Sequence, residues 1–303
     1  MKSLQNASVK YLKRLALLLA GIACALWLGH FCLVQTRGFA LYKIRSRLSY
    51  NPAWEVSSLS RDTQEELKQI LSQPFRFLNK GAQAYVFLSE DERYVIKFFK
   101  IHSLTHPTWL DWVYPPLHLQ PFKLRKILEK RQALNKSFAS YKIAYEELKE
   151  ETGIVFLHLN KTHFLHQTLT LLDNLNIAHR LDLDDMEFLV QKKAELFYPF
   201  LERKLREKGM EKGKAIISQL VHYLQMRSEK EIFDKDPDLE TNFGILDDKV
   251  VQIDIGRFQK DPTRKNLQVY HPEIMRITDV FNQWLKQNYP LLSTHLEHEI
   301  ENL

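Results

Sequence analysis

Cysteine is scarce in this 303-residue sequence. There are two, Cys24 and Cys32, and both lie in one apolar stretch near the start. The rest of the chain therefore has no disulfide framework and no cysteine metal site, which argues against a secreted, disulfide-stabilised domain. Internal repeats and low-complexity segments are also absent. The length allows one large domain or two small ones.

Net charge is low as well. Lys and Arg number 43 against 37 Asp and Glu, an excess of +6. A mild basic excess suits an anionic partner such as a phosphate or a membrane surface. The sequence has no basic and aromatic RNA-binding motif, so we expect no nucleic-acid partner.

An uncharged run is the first prominent feature. Residues 15–34, from Leu15 to Val34, are mostly Ala, Leu, Ile, Trp and Phe. A helix of this length covers the hydrocarbon core of a bilayer, so we predict a transmembrane helix at 15–34 after a basic segment at 1–14. A cleavable signal peptide is the alternative, but its apolar region would be shorter. The flanking basic residues do not fix the orientation, because four precede the run and four follow it: Lys2, Lys10, Lys13 and Arg14, then Arg37, Lys43, Arg45 and Arg47.

Two apolar runs, Phe77–Leu88 and Tyr94–Phe99, flank a polar turn and predict a β-hairpin. Gly81, next to small alanines, would let the backbone approach a ligand closely. Lys97 alternates with apolar residues on a buried face, where a lysine needs an anionic partner. The alternative is a plain hairpin whose lysine extends to solvent.

A second polar segment, residues 233–244, concentrates carboxylates and Asn242 just before a short apolar strand that ends in Asp254-Ile-Gly256. Carboxylate and amide oxygens, together with phosphate oxygens, are the ligands that Mg²⁺ takes. The residues between Asn242 and Asp254 predict a strand, a turn at 246–249 and a second strand, which would bring both side chains to one end of a hairpin. The alternative is an acidic surface loop beside an ordinary hairpin.

The remaining elements predict an α+β protein with strands before Gln191 and mainly helices after it. Residues 35–72 form a juxtamembrane segment with an amphipathic helix at its end, and residues 101–122 are an insertion rich in aromatics and proline. The other predicted helices are 123–151, 214–227 and 277–289, and the other strands are 153–157, 168–172 and 187–191.

Taken in order, these motifs resemble the protein-kinase-like superfamily. Leu78-Asn-Lys-Gly81-Ala-Gln-Ala84-Tyr-Val86 is similar to its glycine-rich loop, and Val95-Ile-Lys97 to its lysine strand. The resemblance implies that the nucleotide phosphates meet the loop and lysine: Gly81, Ala82, Gln83, Ala84, Val86 and Lys97. It also implies a glutamate on the predicted helix 123–151 that pairs with Lys97. Glu146, Glu147 and Glu150 are the candidates, and we choose Glu147. Adenine would meet a hinge formed by Gln191, Lys192 and Ala194.

The second polar segment also resembles the superfamily's catalytic loop. Asp234-Lys-Asp236 stands where the family has His-Arg-Asp, and Asn242 and Asp254 stand at its metal-binding positions. Asp236 precedes Asn242 by six residues, where the family has five. The resemblance therefore implies a catalytic base at Asp236 or at Asp238, with Asn242 and Asp254 holding Mg²⁺ and Lys97 assisting.

The implied fold is a two-lobed kinase-like domain behind one transmembrane helix, with a strand-rich N-lobe at 73–191 and a small helical C-lobe at 192–303. The implied function is a membrane-anchored phosphotransferase that uses ATP and Mg²⁺. Because so little chain follows Phe258, we expect a sugar, lipid or other small-molecule acceptor rather than a peptide. ATP use favours the cytosolic side of the membrane. Two alternatives are a pseudokinase-like scaffold that binds a protein partner and a structural membrane protein without a nucleotide site.

Overall fold

A computed structural model describes residues 2–46, 48–57, 60–105 and 120–303. The aromatic centre of the predicted insertion, with Trp109, Trp112 and Tyr114, lies outside the described residues. The α+β class is confirmed: a large sheet precedes a mainly helical part.

The N-terminal helix is longer than the apolar run predicts. Helix α1 covers Lys2–Gln35, and its stretch Lys13–Gln35 has a mean hydropathy of 2.2 and no part buried by the rest of the protein. In the described part of the chain it is the one helix long and apolar enough to cross a membrane. Helices α2 (Leu41–Ile44) and α3 (Arg61–Leu71) follow. Ser60 caps α3, because its hydroxyl accepts a hydrogen bond from the Thr63 N–H at 3.3 Å.

The sheet has seven strands in the order β4-β7-β3-β2-β1-β5-β6. Their bounds are β1 Phe75–Lys80, β2 Ala84–Ser89, β3 Tyr94–Phe99, β4 Ile154–His158, β5 Thr168–Leu172, β6 Ala178–Asp182 and β7 Phe188–Lys192. All neighbours are antiparallel except β1 and β5, which are parallel. The predicted hairpin is confirmed for β2 and β3, where Val86 pairs with Lys97. The predicted run Phe77–Leu88 is not one strand, because it divides into β1 and β2, which pair with each other.

Helix α4 (Ile101–Thr105) follows β3, and α5 (Gln120–Glu147) and α6 (Lys149–Thr152) precede β4. One side of α5 is buried because its apolar residues recur at helical spacing, and this side packs against β3 and β4. The positive φ of Gly153, +64°, ends α6 in the left-handed conformation that favours glycine.

The helical part carries two small sheets on a helical core. Its elements are β8 Glu195–Leu196, α7 Phe197–Glu229, β9 Ile232–Asp234, β10 Phe243–Leu246, β11 Lys249–Gln252, β12 Phe258–Lys260, α8 Leu267–Asn288 and α9 Pro290–Glu301. Helix α7 is broken at Gly209, whose φ of 74° and ψ of −170° are not helical. The predicted strand pair is confirmed as β10 and β11. Asp247 and Asp248 form its turn with φ of 50° and 62°, as a tight hairpin requires.

Three groups of buried apolar residues hold these parts together. One lies on the sheet, one lies among α7, α8 and α9, and the third joins the two parts. The third group contains Phe99 of β3, Tyr141 of α5, and Ile255 and Phe258 from the segment after β11. It therefore brings the lysine strand and the Asp254 segment together.

The juxtamembrane segment packs on the domain and is part of its core. Phe39 and Ile44 are buried in the sheet group, and Trp54 contacts Phe138 of α5 at a ring-centroid distance of 5.0 Å. Buried Ser46 donates a hydrogen bond to the carboxylate of Glu187, just before β7. Residues 39–46 and 48–56 thus pack on the domain, and we call them the strap.

Candidate functional site

A cleft of about 620 Å³ opens between the seven-stranded sheet and the helical part. This volume is in the range of small-molecule sites. Most of the predicted site residues line it: Gly81, Ala82, Gln83, Ala84, Val86, Lys97, Gln191, Lys192, Ala194, Asp236, Asn242 and Asp254. Residues about 150 positions apart in the sequence therefore face one space.

Lys97 lies on the wall that β3 contributes. Its ammonium donates a hydrogen bond to the Ile253 carbonyl oxygen at 2.6 Å, just before Asp254. Burial lowers the pKa of Lys97, and the nearby negative charge of Asp254 opposes this effect. The amine is thus desolvated, and an anionic ligand in the cleft would stabilise its protonated form.

Glu147 is not placed to pair with Lys97, which corrects the prediction. Its carboxylate forms an ion pair with Lys260, and Glu147 does not line the cleft. The reason is helical phase: the apolar stripe of α5 faces the core, so Tyr141 is the residue of α5 that reaches the cleft. Burial raises the pKa of Tyr141, so its hydroxyl stays neutral.

Asn242 and Asp254 face each other across the start and end of the β10–β11 hairpin. The Ile253 N–H donates to the Asn242 carbonyl oxygen at 2.8 Å, which fixes their spacing. The Asn242 side-chain amide donates to the Asp236 carbonyl oxygen at 2.6 Å. Its Oδ1 accepts a bond from the Thr241 hydroxyl at 3.0 Å, and the second lone pair of this oxygen is left for a ligand. Asp254 exposes its carboxylate, and its Oδ1 accepts one bond, from the Gly256 N–H at 3.3 Å.

These oxygens suit a hard cation. No group of three or more His, Cys, Asp or Glu side chains that could hold a metal occurs in the described ranges. Mg²⁺ is usually bound by one or two carboxylates and completes its shell with waters and substrate phosphates. An amide oxygen and one carboxylate, in the same cleft as the half-buried Lys97, therefore fit a magnesium–phosphate group better than a metal held by protein alone.

The structure separates the two candidates for the base. Asp236 lines the cleft, is 56% exposed and lies 3.3 Å from the Arg257 guanidinium. Asp238 does not line the cleft, because its carboxylate accepts bonds from the Glu240 N–H at 2.9 Å and the Thr241 hydroxyl at 2.8 Å. Asp238 caps a turn, and Asp236 is the carboxylate that a substrate could reach.

A buried polar network behind Asp236 escapes sequence reasoning. Asp234 is 2% exposed, and it accepts hydrogen bonds from the Asp236 N–H at 3.0 Å and from the Gln252 amide. Arg227 of α7 donates to Gln252 Oε1 at 2.7 Å and lies 3.9 Å from Asp234. Burial raises the pKa of Asp234, and the Arg227 charge opposes this. The one sign of this network in the sequence is Arg227, a charged residue that continues the apolar stripe of the predicted helix 214–227.

The glycine-rich loop folds over the Asp254 segment. The Gly81 N–H donates to the Ala84 carbonyl at 2.9 Å, which closes a tight turn. Gln83 accepts a hydrogen bond from Ser137 of α5 at 2.6 Å and lies against Gly256. A Cβ at Gly256 would come within 2.8 Å of Gln83 Oε1, so glycine permits this close approach.

The hinge between the sheet and the helical part forms the inner wall. The Lys192 N–H donates to the Gly153 carbonyl and the Lys193 N–H to the Arg93 carbonyl, both at 2.8 Å. The Gln191 side chain donates to the Thr152 carbonyl at 2.6 Å, so it braces the hinge. Beyond it, Gly244 of β10 lies so close that an added Cβ would meet the Glu195 carbonyl oxygen at 2.7 Å.

Comparison with known proteins gives structural similarity alone. No family model matches the chain, and no curated protein matches it. Among solved structures, WbdD, described as a bifunctional kinase-methyltransferase, is 14% identical with a TM-score of 0.38, and the match covers 76% of this chain and 46% of WbdD. The structure of Rv3197 with erythromycin, from Mycobacterium tuberculosis, is 13% identical with a TM-score of 0.31, over 78% of this chain and 60% of Rv3197. Since these TM-scores are below 0.5, the function proposed next depends on the geometry of the cleft.

Proposed function

We propose that this chain is a membrane-anchored phosphotransferase of kinase-like, two-lobed architecture that binds ATP with Mg²⁺ in the cleft. The observation that carries the proposal is the convergence of Lys97, Asn242, Asp236 and Asp254 on one cleft under a glycine-containing loop. Phosphoryl transfer needs charge neutralisation and alignment more than covalent chemistry, and this set offers both.

Each side chain has a role that follows from its position. Lys97 would neutralise phosphate oxygens, and Asn242 and Asp254 would hold the metal beside them. Asp236 would accept the proton of the acceptor hydroxyl while that oxygen bonds to the terminal phosphorus and ADP leaves. The backbone at Lys192 and Ala194 would meet adenine. Residues 15–34 would span the membrane and hold the domain near a lipid, sugar or other small-molecule acceptor.

A pseudokinase-like scaffold is the second candidate, and three observations favour it. Lys97 donates to the Ile253 carbonyl, Asp236 is paired with Arg257, and the residue of α5 that lines the cleft is Tyr141 and not a glutamate. In this interpretation the cleft binds nucleotide but the protein catalyses no phosphoryl transfer, and the chain acts as a scaffold that binds a protein partner.

Thermal unfolding of the full chain in detergent tests nucleotide binding. Saturation at about 100 times the Kd stabilises by about 2.7 kcal/mol, which raises the unfolding temperature by roughly 5 °C. Asp254→Ala should remove the shift. Asp238→Ala is the matched control and should keep it, because Asp238 lies outside the cleft. An unchanged unfolding temperature of the parent chain with ATP and Mg²⁺ refutes the proposal.

Turnover then separates the two candidates. We expect the parent chain to transfer the terminal phosphate of ATP to a member of a lipid and sugar acceptor panel. Asp236→Asn should keep the thermal shift and lose transfer. Binding without transfer or phosphate release in the parent chain supports the scaffold.

A further inference from the structure

The end of α1 is attached to the sheet by hydrogen bonds. The Asn174 side chain donates to the Gln35 carbonyl at 2.7 Å. Two further donors reach the Gly38 carbonyl, the Tyr85 hydroxyl at 2.5 Å and the Lys43 ammonium at 2.6 Å. A headgroup layer is roughly 5 to 7 Å thick on each side of the hydrocarbon core. If α1 spans a bilayer, these contacts put this end of the sheet at the headgroups.

The sheet topology brings two more segments to the same end. Strands β1 and β5 run parallel, with Phe75 beside Leu171, so the segments that follow them leave the sheet in the same direction. The glycine-rich loop follows β1, and the turn at 173–177 follows β5. Both therefore lie near the end of α1, as the Asn174 bond to Gln35 also requires.

The turn after β5 presents apolar side chains to the outside. Leu175 is 46% exposed and Ile177 is 53% exposed. Their N–H groups donate to the carboxylate of Asp173 at 2.8 and 3.0 Å, so a hydrogen-bonded turn holds them outward. Tyr42 is 53% exposed in the strap nearby. Exposed apolar and Tyr side chains around a membrane helix match the interfacial region of a bilayer.

Three lysines share this end. Burial and mutual repulsion with Lys80 lower the pKa of Lys43 and of Lys100. Lys100 lies 4.7 Å from the centre of the Tyr85 ring and donates to the Gly81 carbonyl. Among the residues that the structure describes, neither Lys43 nor Lys80 has a carboxylate as ion-pair partner. The opposite end of β2 carries carboxylates as well as cations, and there Glu92 forms ion pairs with Arg76 and Lys193.

From this arrangement we infer that Lys43, Lys80, Leu175 and Ile177 form a second membrane contact, which binds anionic lipid headgroups of the bilayer that α1 spans. The inference rests on the proposed membrane anchoring. The lysines would pair with lipid phosphates, and the apolar turn would enter the interface. Because Gly81 borders both this surface and the cleft, the cleft would open beside the bilayer, where a lipid-borne acceptor could reach it.

Spin-label accessibility in nanodiscs tests the contact. The full chain would carry Cys24→Ala and Cys32→Ala, and one new cysteine for the label at Leu175, Asp91 or Trp27. Frequent collisions of the label with oxygen show that the label is in lipid, and frequent collisions with a water-soluble nickel chelate show that it is in water. With phosphatidylglycerol in phosphatidylcholine discs, we expect the label at 175 to be in lipid and the label at 91 to be in water.

Charge removal should release the contact. Lys43→Gln with Lys80→Gln should shift the docked population by roughly fivefold per lysine toward water. Lys208→Gln with Lys286→Gln, in the helical part, removes the same charge and should change nothing. In discs of pure phosphatidylcholine, which contain no anionic lipid, the label at 175 in the parent chain should show the same shift toward water as Lys43→Gln with Lys80→Gln shows in the anionic discs. Equal unfolding temperatures of the two pairs would exclude a folding defect.

Two results overturn the inference, and they are distinguishable. If the label at Trp27 is in lipid and the label at Leu175 is as water-exposed as that at Asp91, the second contact fails and the anchor stands. If the label at Trp27 is itself in water, the anchor fails and the contact with it.

Discussion

Arg227→Met should destabilise the protein more than any surface charge removal. Arg227 is 2% exposed, donates to Gln252 at 2.7 Å and lies 3.9 Å from Asp234. Met fills similar space but leaves Asp234 as a buried carboxylate without a cation. Removing one partner of a buried ion pair costs about 3 to 5 kcal/mol, which lowers the unfolding temperature by roughly 10 °C.

Calorimetry or urea unfolding of the full chain in detergent measures this loss. Arg203→Met is the matched control: Arg203 pairs with Glu195 and Glu207 at the surface, where such pairs contribute about 1 kcal/mol or less. Adding Asp234→Asn to Arg227→Met should restore part of the stability, because the uncompensated charge is removed.

The pH dependence has a definite sign. Burial raises the pKa of Asp234, so the folded state holds its proton at a pH where the unfolded state has lost it. Stability therefore falls as pH rises through this window. Without Arg227 the pKa rises further, so the variant should lose more stability at pH 8 than at pH 5. An unfolding temperature of Arg227→Met no lower than that of Arg203→Met would refute the role of this network.

Three other changes test the remaining structure. Burial raises the pKa of Glu187 to about 7, so ionisation of this carboxyl destabilises the fold as pH rises above its pKa in the unfolded chain. Between pH 5 and pH 8, the stability of Glu187→Gln relative to the parent should therefore increase by up to about 3 kcal/mol, measured by urea unfolding. Phe39→Ala should cost about 3 to 5 kcal/mol, whereas Tyr42→Ala, at an exposed position of the same strap, should cost much less by the same measurement. Gly244→Ala would place a Cβ 2.7 Å from the Glu195 carbonyl oxygen. This variant should therefore lose about 1 to 3 kcal/mol of stability and show a smaller thermal shift with ATP. Full stability with an unchanged shift would contradict the tight packing at the hinge.

Local patterns predicted most of the strands around the site. Alternation in β2 and β3 and the turn at Asp247 and Asp248 are signals carried by a few neighbouring residues, and both hairpins are confirmed. The helix predicted at 214–227 corresponds to the second part of α7, after the break at Gly209. The first part, 197–208, was not predicted, because it is rich in charge and is defined by the packing of a few apolar residues, such as Phe197 and Leu201, against the helical core.

Contacts between distant residues were harder to predict. The glutamate pairing with Lys97 was chosen from position alone, and the phase of α5 places Glu147 beside Lys260 instead. The Arg227–Gln252–Asp234 network needs three elements to meet, so no single stretch shows it. The segment 35–72 was predicted as a juxtamembrane segment that ends in an amphipathic helix. Its pattern gave no sign that Phe39 and Ile44 are buried in the core of the sheet, because that contact depends on strands far along the chain.

Lysine labelling by an acyl phosphate of ATP tests the central claim most directly. Such a reagent transfers its acyl group to an amine that lies beside the bound phosphates, and mass spectrometry identifies the lysine. If the cleft holds ATP, Lys97 should be acylated, excess ATP should prevent it, and Asp254→Ala should reduce it. Lys80 and Lys100, on the outer side of the same loop, are internal controls. Acylation of these surface lysines without Lys97, or labelling of Lys97 that excess ATP does not prevent, would contradict a nucleotide site in the cleft.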